Sequence, residues 1–531
     1  MRQSLRVVLG LSLALSAAGC SDYLSGPGVD QDPNNVIDLT RAGPLYVGIQ
    51  AAGPVQFEGQ LGRYAALYTQ QAAGIDRQQH DFDLYGATQA DIDTYFAAFY
   101  GTSNVITGGG GLLDIHKMQQ IALAGGDSLY VGIGKVYEAL YMSLAADLFG
   151  DIPYRQAADS TVRTPVYDPQ LQVYADLQAQ LDSAINIYLA AAGPTNQGPA
   201  ADGTELIYGD RGSDPDALRA VYTEVAHSLK ARLYMHTAEV DPTAYARALA
   251  EVPLGISTPA NDFLFYHDLT ATGNNIWWQF QATRTGDLDV GAALVEILKD
   301  RIQAGIENNE RLAFYFTTAD GAAPAANGSN FFGYRPGRTI NMPTTGGIDP
   351  GNGSATGTYS FFGPQWDGVN AGAAGFRMPA ITYAETQLIG AEAAFQVGGI
   401  GAAQPFLDAV RANRSYGTQV FTPLGSVPAT LENIMEEKYV TLFLNPEVWN
   451  DYKRTCLPSL APAPTVSSPG AAPRATSIPG RLPYGQTEIS SNPNVPVTSS
   501  TGVAITAVSQ NPNDPNACPP LNYTSSTPLA N

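Results

Sequence analysis

The side chains best suited to chemistry in this sequence are aromatic. Trp277, Trp278, Phe331, Tyr334 and Trp366 lie in or beside one stretch that is rich in Gly, Asn, Ser and Thr. Aromatic faces bind sugar rings and other flat apolar groups by stacking, and a few polar neighbours fix the orientation. These five residues are therefore the candidate ligand contacts. For each of them the alternative is packing of the loops onto the rest of the molecule, and we expect at least one to be exposed.

Motifs for catalysis and for metal binding are missing from the sequence. The five histidines are His80, His116, His227, His236 and His267. They form neither a His-x-x-x-His pair nor a Cys/His cluster, so no zinc site is predicted. Neither a Gly-x-Ser-x-Gly elbow nor a P-loop occurs. Among 49 acidic residues a carboxylate pair can always be picked, so a pair alone does not indicate a glycosidase. We predict a protein that is not an enzyme and needs no cofactor or metal.

The charge balance excludes one class of partner. The chain has 28 Lys and Arg against 49 Asp and Glu, a net charge of -21, whereas nucleic-acid binding needs a basic face. With 44% hydrophobic residues it can bury a large core. A length of 531 residues suggests two to four domains, and one large two-part domain is the alternative.

The N-terminus carries signals for export and lipid attachment. A basic start, an apolar stretch over residues 7–15 and small residues before Cys20 match a bacterial lipobox. We predict a signal peptide over 1–19, lipidation (palmitate) of Cys20 and a flexible tether over 20–38; a plain secretory signal with a chance cysteine is the alternative. No later segment has the roughly 20 apolar residues of a membrane-spanning helix. Membrane attachment is therefore expected through the lipid alone.

Two further cysteines, Cys456 and Cys518, remain near the C-terminus. In an oxidising compartment they could form one disulfide that fixes the tail, or they could stay free.

Helical periodicity identifies the elements that must position the aromatic residues. It predicts a helical part over 39–252, a loop-rich ligand-binding region over 253–379, helical hairpins over 380–455 and a Pro/Ser/Asn-rich tail over 456–531 that packs on the body. Helical hairpins in both helical parts favour tetratricopeptide-type stacking. So long a loop-rich region inside a compact protein is more often functional than idle.

A hexapeptide ends one long apolar helix. Phe149 is followed by Gly150, which can adopt the left-handed turn that closes a helix, and Pro153 prevents the helix from restarting. We predict a structural role for Phe149, Gly150, Asp151, Pro153 and Tyr154 as a helix stop that anchors packing.

This hexapeptide resembles the FGD-V/I-PY signature of the SusD/RagB family. The other segments that resemble the family, in family order, are 226–234, 309–312, parts of 384–412, 436–443, 448–454, 478–484 and 492–495. The pattern is most similar to the SusD-like 2 branch. It departs from the family where Glu310 and Gly485 replace the usual prolines and Tyr439 replaces a tryptophan.

The resemblance implies a mainly α fold: a SusD-like helical body with tetratricopeptide-type hairpins, an irregular loop-rich region and few short strands. It implies a non-catalytic, lipid-anchored protein of the outer membrane, exposed at the cell surface. Such a protein captures an oligosaccharide, or a peptide or other organic nutrient, for a SusC-like TonB-dependent barrel. The alternatives are a secreted hydrolase on a helical scaffold and a structural envelope lipoprotein without a ligand.

Overall fold

The structure is a computed structural model, and it describes residues 40–101, 109–159, 161–209, 211–337, 359–462, 477–496 and 518. The signal peptide and tether expected from the sequence, including Cys20, lie outside these residues. All packing described below lies within residues 43–531.

The described residues are mainly helical. The helices are α1 Ala42–Glu58, α2 Gln60–Tyr68, α3 Arg77–Asp83, α4 Gln89–Ala98, α5 Leu112–Gly125, α6 Ser128–Phe149, α7 Gln170–Ser183, α8 Pro215–His236, α9 Ala244–Glu251, α10 Ile276–Thr283, α11 Ala292–Gln303, α12 Glu310–Tyr315, α13 Tyr383–Gly398, α14 Ile400–Ala412, α15 Leu431–Thr441, α16 Glu447–Thr455 and α17 Gln486–Ser491. Short 3-10 segments lie at Gly198–Ala200, Val252–Leu254, Pro259–Asn261 and Ala371–Ala373, and a π-helical segment at Ala184–Leu189.

Strands are few and short. They are β1 Ala72–Gly74, β2 Phe263–Leu264, β3 Leu288–Val290, β4 Pro379–Ile381, β5 Ser415–Tyr416 and β6 Gln419–Val420. They pair as three two-stranded antiparallel sheets, β1 with β3, β2 with β4 and β5 with β6. Ala72 faces Val290 and Phe263 faces Ile381, so the first two sheets join the loop-rich region to the helical parts on either side. The expected mainly α fold with few strands is confirmed.

Helix starts and stops follow local signals. The carboxylate of Asp127 accepts hydrogen bonds from Leu129 N and Tyr130 N at the start of α6, as an N-cap does. In α13, Thr382 Oγ1 caps in the same way by accepting from Glu385 N at 3.1 Å. These caps satisfy backbone donors that have no partner within the helix.

Two helical hairpins pack against each other. Met235 of α8 and Ala248 of α9 lie in one apolar cluster with Ile389 of α13. Leu388 of α13 and Leu407 of α14 lie in a second cluster that extends to α15. This is the stacking of hairpins that the periodicity predicts.

A buried ion cluster joins the loop-rich region to the C-terminal helices. Glu437 of α15 accepts from Arg311 Nη1 at 2.7 Å, from Arg411 Nη1 at 3.2 Å and from Arg301. Burial alone would raise the pKa of Glu437, but Arg311 and Arg301 lower it far below its usual value. The carboxylate therefore stays ionised and joins α11, α12, α14 and α15.

A disulfide joins Cys456 and Cys518, whose Cα atoms are 5.3 Å apart. Of the two states that the sequence left open, the structure has the bonded one. Cys456 directly follows α16 in a left-handed conformation, so the bond holds residue 518 at the end of that helix.

Among the residues that the structure describes, no helix combines the length and the apolar character that crossing a bilayer requires.

Candidate ligand-binding surface

The Phe149–Tyr154 turn connects the end of α6 to the start of α7. Gly150 has φ +83°, a conformation that side chains disfavour, and its N–H donates to Ala146 O at 2.9 Å. Asp151 Oδ1 accepts from the N–H of Gln170, the first residue of α7, at 2.9 Å. The turn thus ends one helix and caps the next.

Tyr154 and Pro153 are buried and hold the turn against α6. The Tyr154 hydroxyl donates to Glu138 Oε1 at 2.7 Å, and His116 Nε2 lies 3.2 Å from the same oxygen. Burial would raise the pKa of Glu138, but the hydrogen bonds from His116 and Tyr154 lower it. A carboxylate is therefore held inside the helical body by the turn.

The C-terminal element closes over this turn. Leu482 N donates to Leu148 O at 2.7 Å, and the Tyr484 hydroxyl donates to Asp151 O at 2.7 Å. The ring of Phe149 stacks on that of Tyr484 with centroids 6.5 Å apart. These contacts all lie inside the molecule, so the geometry gives the hexapeptide a packing role.

Three of the five candidate aromatic residues are fully buried: Trp277, Phe331 and Trp366. The ring of Trp366 lies 5.2 Å from that of Phe443 and 5.6 Å from that of Phe314, between the loops and the helices. With no exposed face, none of the three can stack on a ligand in this structure. We therefore replace their expected role as ligand contacts with a packing role.

The two remaining candidates are Tyr334 and Trp278. Tyr334 is buried, and one face of its ring is covered by Tyr359 at a centroid distance of 3.5 Å with the planes 7° apart. Trp278 is half-buried. Of the five candidates, Trp278 alone keeps a partly exposed ring.

The buried amide of Asn275 fixes the position of α10, which carries Trp278. Its Oδ1 accepts from Trp277 N at 3.0 Å and from Trp278 N at 3.1 Å, as an N-cap does. Its Nδ2 donates to Glu58 Oε2 at 3.2 Å and to Phe376 O at 3.1 Å. One side chain therefore joins α10 to the end of α1 and to a second loop.

Glu58 also holds the loop that precedes α10. Its Oε1 lies 2.8 Å from His267 Nε2, and both side chains are buried. The other ring nitrogen of His267 lies 3.3 Å from Gly273 O across the loop. The loop over 266–275 is therefore anchored at its base.

A second loop, over 366–378, packs on α10. Trp278 Nε1 donates to Asn370 O at 3.2 Å, and Asn370 N donates to Asp367 Oδ1 at 3.0 Å. Gly368 has φ +72°, and a Cβ atom there would overlap Ala282 N of α10. Only glycine lets this loop approach the helix so closely.

Apolar side chains are exposed on these two loops and on the segment that precedes the second loop. Phe361 is 55% exposed, Leu269 65% and Val369 79%. We group Leu269, Trp278, Phe361 and Val369 under the name loop surface. Large exposed apolar groups on ordered loops are typical of interaction sites.

Phe361 is the residue that sequence reasoning missed. It lies between the buried residues Ser360 and Phe362, and its N–H donates to Thr317 Oγ1 at 3.0 Å. In extended backbone successive side chains point to opposite sides. That alternation is the signal that would have separated Phe361 from its buried neighbours.

One group of metal-ligating residue types occurs among the described residues: Asp147, His236 and Glu447. His236 Nδ1 lies 3.0 Å from Asp147 Oδ1, and Nε2 lies 2.8 Å from Glu447 Oε1. Because the carboxylates contact opposite ring nitrogens, one cation cannot reach all three at the roughly 2 Å that ligation needs.

The three groups instead form an ion cluster. Burial alone would lower the pKa of His236, but Asp147 and Glu447 raise it to about 10. Burial would raise the pKa of Glu447, but His236 and Arg232 lower it to about 2. At neutral pH an imidazolium therefore lies between two carboxylates and joins α6, α8 and α16.

The cleft beside this cluster is small. It is lined by Leu171, Val240 and Lys453 among others, and its volume is about 50 Å³. Ligand pockets are usually about 300–1,000 Å³, so this cleft has room for a few waters rather than for a sugar ring.

Three carboxyl groups of the loop-rich region differ in exposure and in pKa. Burial raises the pKa of Asp262, which accepts from Tyr383 N at 2.7 Å at the start of α13. Burial also raises the pKa of Asp289, whose side chain is enclosed. Asp268 faces solvent, and hydrogen bonds from Thr270 lower its pKa. The pKa is thus lowered at the exposed group and raised only at the two enclosed groups, which a ligand cannot reach.

Comparison with protein families gives a match to the SusD-like 2 model, described as starch-binding and associating with the outer membrane, over residues 60–485. No curated protein matches the chain.

Many solved structures share the fold. A chitin-binding SusD homologue from Flavobacterium johnsoniae is 19% identical, covers 90% of this chain and 99% of its own, and has a TM-score of 0.62. A SusD homologue from Bacteroides fragilis is 18% identical, with 89% and 100% covered and a TM-score of 0.62. A SusD/RagB family protein from Bacteroides thetaiotaomicron is 17% identical, with 86% and 95% covered and a TM-score of 0.59.

Proposed function

Because the chain belongs to the SusD-like family, whose members associate with the outer membrane, we propose that it captures an oligosaccharide there and delivers it to a SusC-like TonB-dependent transporter. In this proposal it binds its ligand without catalysis. A peptide or another organic nutrient is the alternative ligand.

One observation carries the proposal: the loop surface exposes aromatic rings on segments that hydrogen bonds hold in place. Phe361 is exposed and Trp278 half-buried, and the amide of Asn275 fixes the helix that carries Trp278. A ring held in place before binding stacks on a sugar with little loss of conformational freedom. The chitin-binding homologue among the similar structures supports a carbohydrate as the ligand class.

Attachment to the membrane rests on the sequence. Lipid on Cys20, with 20–38 as a tether, would hold the body at the outer membrane and keep it exposed at the cell surface beside its transporter. The protein would then act as the capture subunit of an uptake system.

A glycan and peptide array tests the ligand class. The protein lacking residues 1–20 is applied to the array, and each ligand found is titrated by calorimetry against Trp278→Ala and Phe361→Ala. Each variant should bind about fivefold to thirtyfold more weakly, the effect of losing about 1–2 kcal/mol of stacking. Ile187→Ala, a 59% exposed apolar residue outside the loop region, is the matched control and should bind as wild type does.

The other outcomes distinguish the rival functions. Cleavage of a bound glycan that disappears when one carboxylate is substituted would favour a hydrolase. Binding to neither glycans nor peptides on the array would favour a structural envelope lipoprotein. Unchanged affinity in both aromatic variants would exclude the loop surface as the binding site.

A further inference from the structure

Arg63 of α2 is a buried cation without a counterion. Its side chain is 92% enclosed, since the residue is only 8% exposed, and among the described residues no carboxylate oxygen lies within 4.0 Å of its guanidinium. Among the other buried arginines, Arg481 also has no carboxylate within 4.0 Å, but its Nη1 donates to Phe149 O at 3.3 Å. The rest have a carboxylate partner, as Arg232 has in Glu385 at 2.6 Å. Burial lowers the pKa of Arg63 to about 10. An enclosed charge without a partner is unfavourable, so this position needs an explanation.

The neighbours of Arg63 are amides with unused hydrogen-bonding groups. Gln60 Oε1 accepts from Arg63 Nε at 3.2 Å and from Gln79 Nε2 at 3.1 Å. Buried atoms without a partner include Gln60 Nε2, Arg63 Nη1 and Gln79 Oε1 in this cluster, and Gln56 Nε2 and Oε1 near the end of the preceding helix, α1. Buried polar groups in native proteins are almost always satisfied. Five such atoms in adjoining helices indicate that something else fills their hydrogen bonds.

The cluster adjoins the helix that carries Trp278. The guanidinium carbon of Arg63 lies 4.2 Å from the ring centre of Phe280 in α10, and Phe280 is half-buried. Cation–π attraction compensates part of the desolvation of the guanidinium. Because this one side chain covers a face of the guanidinium, we expect its ring to rotate when a ligand enters.

The unused atoms match a carboxylate that is flanked by hydroxyl groups. Arg63 Nη1 and the amide nitrogens of Gln56 and Gln60 can donate to the two carboxylate oxygens. The carbonyl oxygens of Gln56 and Gln79 can accept from neighbouring hydroxyl groups. Water could satisfy the amides but would leave the guanidinium without an opposite charge.

We propose that Arg63, with Gln56, Gln60 and Gln79, binds the carboxylate of an acidic sugar, so that the ligand is an oligosaccharide containing uronic acid. This rests on the proposed function, because it names the class of oligosaccharide that is captured.

The overall charge does not oppose such a ligand at close range. The chain carries -21, but at about 0.1 M salt charges further than about 10 Å away are largely screened. A guanidinium in direct contact with the ligand then dominates the electrostatic contribution.

Calorimetry with two matched ligands tests the proposal. Trigalacturonate should bind wild type at least tenfold more tightly than the neutral galactose trimer. Arg63→Met, which keeps the apolar stem of the side chain and removes its guanidinium, should lose that preference and bind the two trimers with equal affinity. Arg247→Met is the matched control, because Arg247 also lies over a ring, that of Tyr234 at 5.0 Å, but on α9.

Each outcome either supports or overturns the proposed carboxylate site. Equal affinity of wild type for the two trimers, no binding of trigalacturonate, or a preference that persists in Arg63→Met would overturn the carboxylate site. If Arg63→Met does not fold, Gln56→Met serves instead and should reduce the preference at least threefold. Binding of acetate or monomeric galacturonate as tightly as the trimer would show a site for free carboxylates, which overturns the oligosaccharide assignment. Neutral glycan binding with no acidic preference leaves the proposed function intact, whereas binding of no glycan at all refutes both.

Discussion

Replacing His236 with glutamine should remove a defined part of the pH dependence of stability. The imidazolium lies between Asp147 and Glu447, and its pKa is about 10 in the folded protein against 6.5 for an unperturbed histidine. A group whose pKa is raised by folding contributes its full stabilisation below its unfolded pKa and loses it as the pH rises through its folded pKa. The contribution of His236 is therefore complete below about pH 6.5 and absent above about pH 10.

The magnitude follows from the same two values. Between them the folded protein holds one proton that the unfolded chain has released, so the free energy of unfolding falls by about 1.4 kcal/mol per pH unit. From pH 6.5 to 8.5 the loss is about 2 kcal/mol. For a body of roughly 490 residues the entropy of unfolding is about 1 kcal/mol/K, so the melting temperature should fall by about 2 °C because of this group.

Melting curves recorded by circular dichroism at half-unit steps from pH 6 to pH 10 and constant ionic strength check this. His236→Gln should melt below wild type at pH 6.5, since two buried carboxylates lose their partner at a cost of about 3–5 kcal/mol, and its profile should be flatter by about 2 °C. His80→Gln is the control, because His80 Nδ1 contacts Gly74 O at 3.2 Å and no carboxylate lies within 4.0 Å of the ring among the described residues; its profile should parallel wild type.

A profile of His236→Gln that runs parallel to wild type would refute the reasoning. If this variant does not fold, Asp147→Asn is used instead. Removing one of the two carboxylates should lower the pKa of His236 in the folded protein. The pH range over which the melting temperature falls should then end at a lower pH.

Three further predictions concern the packing turn, the disulfide and the second loop. Tyr154→Phe removes the hydroxyl that donates to Glu138 and should cost about 1–2 kcal/mol in urea unfolding while glycan affinity stays constant; a loss of affinity would contradict a purely structural turn. Cys456→Ser combined with Cys518→Ser opens a closed loop of 62 residues and should lower stability by about 4 kcal/mol, so equal urea midpoints for the two proteins would count against it. Gly368→Ala should displace the 366–378 loop from α10 and weaken ligand binding in calorimetry at least threefold. Gly372→Ala, where a Cβ atom would meet only Asn370 Oδ1 at 3.4 Å, an ordinary contact, should not. Equal effects of the two would show that the close approach at Gly368 is unimportant.

The helical frame was predictable because its signals are local. In α8 the cap and first turn are Asp214 and Pro215, and Leu218, Tyr222 and Val225 then recur on one buried face. Cap, first turn and apolar stripe all come from neighbouring residues. Propensity and periodicity therefore suffice for such an element.

The loop-rich region was less predictable because its supports are distant in sequence. α10 is capped by Asn275, whose amide is held by Glu58, a residue 217 positions earlier. The sequence alone does not distinguish the environments of Trp277 and Trp278. In a helix, successive side chains are rotated by about 100° about the axis, so Trp277 is enclosed while Trp278 is only half-buried. Trp366 is likewise enclosed by Phe443, far along the chain. The identity of a ligand contact therefore depended on tertiary packing.

The contact between the Phe149–Tyr154 turn and the C-terminal element has a consequence for folding kinetics. Tyr484 and Asp151 are separated by 333 positions in the sequence. The backbone hydrogen bond from Leu482 N to Leu148 O spans a similar sequence separation. Closing so large a loop carries a high entropic cost before any contact compensates it, and contacts of this kind form slowly. A chain that is synthesised from its N-terminus cannot complete this turn until residue 484 is available. Folding of the whole body is therefore expected to be post-translational, with the family's most recognisable hexapeptide among the last segments to reach its native surroundings.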